Sequence, residues 1–135
     1  MSAISVTAAN VVTVAGQTQD GIAGGTLTAG MSLYLDAATN TVKAADANLS
    51  SAAATTVGVA LHGASAGQPI RYQISGTINL GATLVAGTIY VVGATTAGDI
   101  NPASDLTTGW RTSILGVATT TAILKMAINN SDALH

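Results

Sequence analysis

The sequence predicts an all-β protein, a compact β-sandwich or barrel built from two similar β-units. Three observations carry that prediction. Helix signals are poor, because Thr and Gly abound and no long 3.6-residue period runs through the chain. Short runs rich in Val, Ile, Leu and Tyr recur between Gly-, Ala- and Asn-bearing turns, which is the punctuation of short strands. Blocks of sequence also repeat in the same order, about 54 to 58 residues apart.

Taken in order, Val11-Val12-Thr13-Val14 predicts the first strand, followed by a turn-like stretch from Gly16 to Gly25. Met31-Ser32-Leu33-Tyr34-Leu35 alternates briefly, Asp36 to Asn40 reads as a turn, and Thr41-Val42-Lys43 returns to make a hairpin. The Ala-rich Ala44 to Ala54 stretch has room for one helical turn, and a loop is the favoured reading. Thr56 to Leu61 is a strand that contains Gly58, and Ala64 to Gly67 turns the chain. Pro69 opens the strand Ile70 to Ile74, a place where a missing N–H is tolerated. Thr77–Leu80, Thr88–Val92, Arg111–Leu115, Gly116–Thr119 and Ala122–Ile128 complete the set.

The repeat has three matched blocks. Gly24 to Gly30 matches Gly81 to Gly87, and each leads into a Tyr-bearing strand, with Tyr34 and Tyr90 aligned. Val57-Gly58-Val59-Ala60 matches Leu115-Gly116-Val117-Ala118, and Ile70 to Ile74 matches Leu124 to Ile128. A glycine at the same place in both copies, Gly58 and Gly116, implies a β-bulge or a close backbone approach. The organisation expected is one β domain over residues 16–135 with an internal duplication, about 24–76 and 81–128. Residues 1–15 lie outside both copies, as an N-terminal arm or an edge strand.

Composition narrows the function. The 135 residues carry four Lys/Arg and six acids, every one an Asp, for a net charge of -2. Charged residues are only 7% of the chain, against roughly 25% in an average soluble protein. Four basic residues do not make a nucleic-acid surface. With no cysteine there is no disulfide scaffold, no thiol nucleophile and no zinc site of the usual kind. No run of about 18 apolar residues is present to span a bilayer. Met1-Ser2-Ala3-Ile4-Ser5-Val6 lacks the basic start and apolar centre of a signal peptide, so cytoplasmic synthesis is expected. Leu, Ile and Val number only 32, and a small-residue core of that kind gains from subunit contacts.

Candidate chemistry is sparse, and no catalytic residue, cofactor or metal is expected. His62 is the one interior histidine, with no Gly-x-Ser-x-Gly elbow to accompany it, and it reads as a turn residue. Asp20, Asp36, Asp46, Asp99, Asp105 and Asp132 are scattered beside turn residues, as caps are. The Gly21 to Gly25 run lacks both dinucleotide spacing and a Walker lysine, and reads as a turn. Trp110 beside Arg111 is either an interface anchor or a core filler standing in for the absent Phe, and the sequence leaves both open.

In order, Gly25-Thr26-Leu27-Thr28-Ala29-Gly30, Val57 to Leu61, Ala64-Ser65-Ala66-Gly67-Gln68 and a strand ending at Gly76 resemble the capsid cement, or head-decoration, proteins of tailed bacteriophages. Ile89 to Val92, Ala97 to Pro102 and Ile114 to Ala118 look like a module common in phage virion proteins, so the resemblance covers about Gly24 to Ile128. It implies a non-enzymatic virion protein on the outer capsid surface that bridges capsomers, commonly as a homotrimer. The implied partners are the major capsid protein and the chain itself, with no nucleic acid and no membrane. Such proteins often use an N-terminal arm for strand addition to the shell. Ile4, Val6, Val11, Val12 and Val14 are the contact residues this suggests, with Trp110 and Arg111 for a subunit or capsid contact. The alternative is a tail-fibre, spike or baseplate module that binds a host glycan, for which the aromatic residues are few.

Overall fold

Alternating apolar residues and glycine-bearing turns produce eleven strands in the computed structural model, which describes residues 4, 6–94 and 96–134. They are β1 (Val11–Ala15), β2 (Thr18–Ile22), β3 (Ser32–Asp36), β4 (Thr41–Ala44), β5 (Thr56–Ala60), β6 (Pro69–Gln73), β7 (Gly76–Leu80), β8 (Ile89–Val92), β9 (Ile100–Pro102), β10 (Arg111–Ala118) and β11 (Ile123–Leu134). One helical turn, α1 (Ser51–Ala54), precedes β5, with the Ser50 hydroxyl accepting from the Ala53 N–H at 3.1 Å. Two antiparallel sheets pack as a β-sandwich, in the orders β1-β7-β11-β10-β8-β9 and β2-β6-β5-β3-β4.

A kinked ribbon joins the sheets. β1 runs through Gly16 into β2, and β6 runs through Ser75 into β7. These two lengths of chain pair antiparallel from Val11 opposite Leu80 to Ile22 opposite Pro69. Where the ribbon passes from one sheet to the other, the backbones leave no room for side chains. A Cβ on Gly16 would strike the Ser75 carbonyl, and one on Gly76 would strike that of Ala15. Both glycines also hold positive φ, 122° and 89°. The fully buried Gln73 fills the corner, its Nε2 within 3.0 Å of the Ala15, Ser75 and Thr77 carbonyls.

With β1 set aside, the two sheets have one plan: β2-β6-β5-β3-β4 corresponds to β7-β11-β10-β8-β9. The correspondence reaches single hydrogen bonds. Gly30 N donates to Ala60 O as Gly87 N donates to Ala118 O, and Ala60 N donates to Met31 O as Ala118 N donates to Thr88 O. Gly30 and Gly87 both hold positive φ, 87° and 84°. The expected bulge is present in both sheets: pairing slips at Val57 against β3 and at Leu115 against β8. The close approach is there as well, since a Cβ on Gly58 would meet the Gln73 carbonyl and one on Gly116 the Lys125 carbonyl.

The buried residues fall into two clusters. Leu27, Leu33, Val42, Ala60, Ile70 and Tyr72 fill the first. Leu84, Tyr90, Ile100, Ala118, Leu124 and Met126 fill the second, which also takes in Val11, Ala45, Ala47 and Val59. The ends of the first sheet come together: Ala23, just after β2, bridges Val42 on β4, and Gly24 N donates to Val42 O at 2.8 Å.

Several details correct the sequence reading. The stretch from Gly16 to Gly25 is not one long turn, because β2 occupies Thr18–Ile22 and contains Gly21. Arg111–Leu115 and Gly116–Thr119 are one strand, β10, bulged rather than broken at the glycine. β11 runs on to Leu134, and β9 was not foreseen. Tyr34 and Tyr90 are not counterparts: Tyr90 pairs with Gly116 as Leu33 pairs with Gly58, so the two tyrosines differ by one residue and lie on opposite faces. Tyr72 faces Ala60 as Leu124 faces Ala118, two residues away from the block alignment.

Candidate interaction surface

The N-terminal segment is folded against the domain. Ile4 N donates to Ile100 O at 3.0 Å and Thr7 N to Gly81 O at 2.8 Å, so this stretch crosses from β9 to the end of β7. Ile4 and Val6 pack, half-buried, on the second core. A single turn of 3-10 helix, Ala8–Asn10, then delivers Val11 into that core at the start of β1. Residues 1–3 and 5 lie outside the described residues, as do His135 and the side chain of Asp132.

β1 is the end strand of the six-stranded sheet, paired on one side with β7. Its sequence, Val-Val-Thr-Val-Ala, has no charge and no proline, the usual means of blunting an edge. Val12 and Val14 stand out from it, 56% and 57% exposed. A bulge at Val14, between Thr13 and Ala15, confines the regular edge to Val11–Thr13. Val12 also lines an open, mostly polar groove of about 600 Å³ with Thr7, Asn10, Asn79, Gly81 and Thr83. Asn79 faces Val12 across the strands, its Oδ1 accepting from Gly81 N at 2.9 Å. The surface suits strand addition backed by apolar contact.

Of the residues singled out in the sequence, the structure exposes Val12 and Val14. Ile4, Val6 and Val11 hold the segment in place. Trp110 is half-buried and packs against the second core. Arg111 is half-buried at the start of β10, its N–H donating to Ala47 O at 2.8 Å. Exposed Val85 and Ile89 were missed, because each sits in a block read only as strand or turn.

A second groove, of about 440 Å³, gathers Asp20, His62, Gln68 and Arg71. The imidazole there is committed to the backbone: Nε2 accepts from Arg71 N at 3.0 Å and Nδ1 lies 2.8 Å from Gly63 O. That bonding leaves the proton on Nδ1. The Arg71 guanidinium bonds Asp20 at 2.9 Å and holds its carboxyl below the usual range. Lys43 does the same for Asp36 across the β3–β4 hairpin, at 2.7 Å. Asp99 behaves in the opposite way, since burial pushes its carboxyl up. Among the described residues, no three His, Cys, Asp or Glu side chains come together as metal ligands, and no helix is long and apolar enough to cross a membrane. No protein-family model and no curated protein matches the chain.

Proposed function

We propose that this chain is a structural virion protein of a tailed bacteriophage, bound to the outer surface of the head, where it bridges capsomers as a homotrimer. The observation that carries the reading is the uncharged β1 edge with Val12 and Val14 displayed beside a groove. The ordered sequence blocks that resemble head-decoration proteins point the same way. An exposed strand edge offers a shell protein backbone donors and acceptors as well as apolar contact. Binding only the assembled shell would stabilise it by mass action, and many weak contacts on a symmetric lattice would add together.

The glycan-binding alternative asks for exposed aromatic faces. Tyr72 and Tyr90 are buried, and Tyr34 and Trp110 are half-buried. Incubation of the purified protein with emptied heads and, separately, with host cells separates the two readings. Co-sedimentation with heads alone is the expected result. Sedimentation with cells alone would replace this reading with the glycan-binding one.

A further inference from the structure

The two halves are built alike but covered differently. In the first half, the edge formed by the start of β3 and the residue after β4 is sealed by the second half. Ser32 N donates to Gly98 O at 3.0 Å, Ser32 Oγ donates to Asp99 O at 3.1 Å, and Gly98 N donates to Ala45 O at 2.8 Å. Ser32 and Ala45 are both 0% exposed as a result. Gly98 and Asp99 belong to the tip of the β8–β9 hairpin.

Register gives the matching edge of the second half. Ile89 faces Val117 as Ser32 faces Val59, and Ala103 follows β9 as Ala45 follows β4. Among the described residues this edge is only partly covered: Leu106 N donates to the Ala103 carbonyl at 3.1 Å, but Ile89 is 41% exposed, Ala103 is half-buried, and Val85 nearby is 65% exposed. The polar Ser32 of the sealed edge is thus replaced by an isoleucine on the open one. The hairpin that corresponds to the sealing tip, Asp36 to Thr41 between β3 and β4, is itself open to solvent from Ala37 to Asn40. Asn40, just before β4, holds a positive φ of 54°, as Gly98 does at 91° just before Asp99. The Asp36 carboxylate fixes the turn by accepting from Ala38 N at 3.0 Å.

We propose that a second copy of this chain covers the Ile89–Ala103 edge with its Asp36–Thr41 hairpin tip, in the place that Gly98–Asp99 takes over Ser32–Ala45 within one. Repeated units that bury an edge only against a neighbour leave one edge and one tip over at the ends of the array. Here one edge and one tip are left over, so the contact is head-to-tail and closes into a ring when the rotation permits. The proposal deepens the reading of a self-associating virion protein and rests on its self-association alone, not on what the β1 edge binds.

Light scattering on the full chain at micromolar concentration tests it. Wild-type protein is expected at a multiple of 13.2 kDa, and Ile89→Lys is expected at the single-chain mass with an unchanged circular dichroism spectrum. A second test stands if Ile89→Lys fails to fold. Because the chain has no cysteine, Ile89→Cys protein coexpressed with Thr39→Cys protein should form a disulfide-linked pair under mild oxidation, which neither variant forms alone. A wild-type monomer, an oligomer unchanged by Ile89→Lys, or no crosslinked pair would overturn the contact. Loss of head binding by Ile89→Lys from a wild-type monomer would overturn it too, and would assign the edge to the shell. Co-sedimentation with emptied heads, read on the same samples, reports the capsid reading independently of mass.

Discussion

At Gly58 and Gly116 the backbone of the adjacent strand lies where a side chain would begin. Gly116→Ala should therefore cost about 2–4 kcal/mol in urea unfolding. Gly25→Ala, with nothing within 4 Å of the added methyl, should stay within about 0.5 kcal/mol. Equal effects from the two would contradict the bulge geometry. Gln73 is the other demanding residue: Gln73→Leu keeps the volume but strips a donor from three carbonyls at the corner, for a loss of about 2–4 kcal/mol. The ionisable groups set the acid response. Asp20 and Asp36 have lowered carboxyl values in the folded state, caused first by hydrogen bonds from Arg71 and Lys43. Their contribution is therefore present above the ordinary value of 3.8 and is lost as pH falls below it. Asp99 has a raised value through burial, so its ionisation costs stability above 3.8, and that cost disappears in acid. Melting curves should show Asp99→Asn raising the transition by a few degrees at pH 7 and leaving it unchanged at pH 3. Asp36→Asn should lower it at pH 7, by progressively less as the pH falls below 3.8.

Strands that bury one face were legible where their apolar residues are large. Ile70 with Tyr72 and Ile78 with Leu80, all buried, announce β6 and β7. β2 was not, because Thr18-Gln19-Asp20-Gly21 is mostly exposed and owes its strand to pairing with β6 rather than to burial. β9 escaped for a related reason: Ile100-Asn101-Pro102 is too short for a pattern, and its place comes from β8. The glycines of the two bulges were readable as a pair. The strand registers around them were not, because a bulge shifts facing by one residue and block matching cannot see it. The same limit hid which valines of β1 face solvent. Val11, Val12 and Val14 look alike in sequence, and only pairing with β7 shows that Val11 turns inward while the other two face solvent. The folded position of the segment also changes how the edge is to be probed. Removal of residues 1–14 would take away Ile4, Val6 and Val11 from the second core, so loss of binding would follow from loss of fold. Substitution at Val12 and Val14 leaves that packing intact, and Val12→Lys with Val14→Lys should melt within a few degrees of wild type.

The whole molecule is a doubled β-fold with few charges, of which four form local pairs, Asp36 with Lys43 and Asp20 with Arg71. Its distinctive surfaces are an uncharged strand edge at β1 and an open apolar edge at Ile89. The first is proposed to meet the capsid and the second another copy, so the protein would act by joining neighbours rather than by chemistry on a small molecule. Heads that carry it should withstand a higher temperature before they lose integrity, by an amount that grows with occupancy. The most direct measurement is the number of copies that co-sediment with emptied heads, for wild type and for Val12→Lys with Val14→Lys. Wild type should saturate a fixed number of sites per head while the doubly substituted chain, still folded, stays in the supernatant. Wild type left in the supernatant, or a substituted chain that pellets equally well, would contradict the β1 edge as the capsid-binding surface.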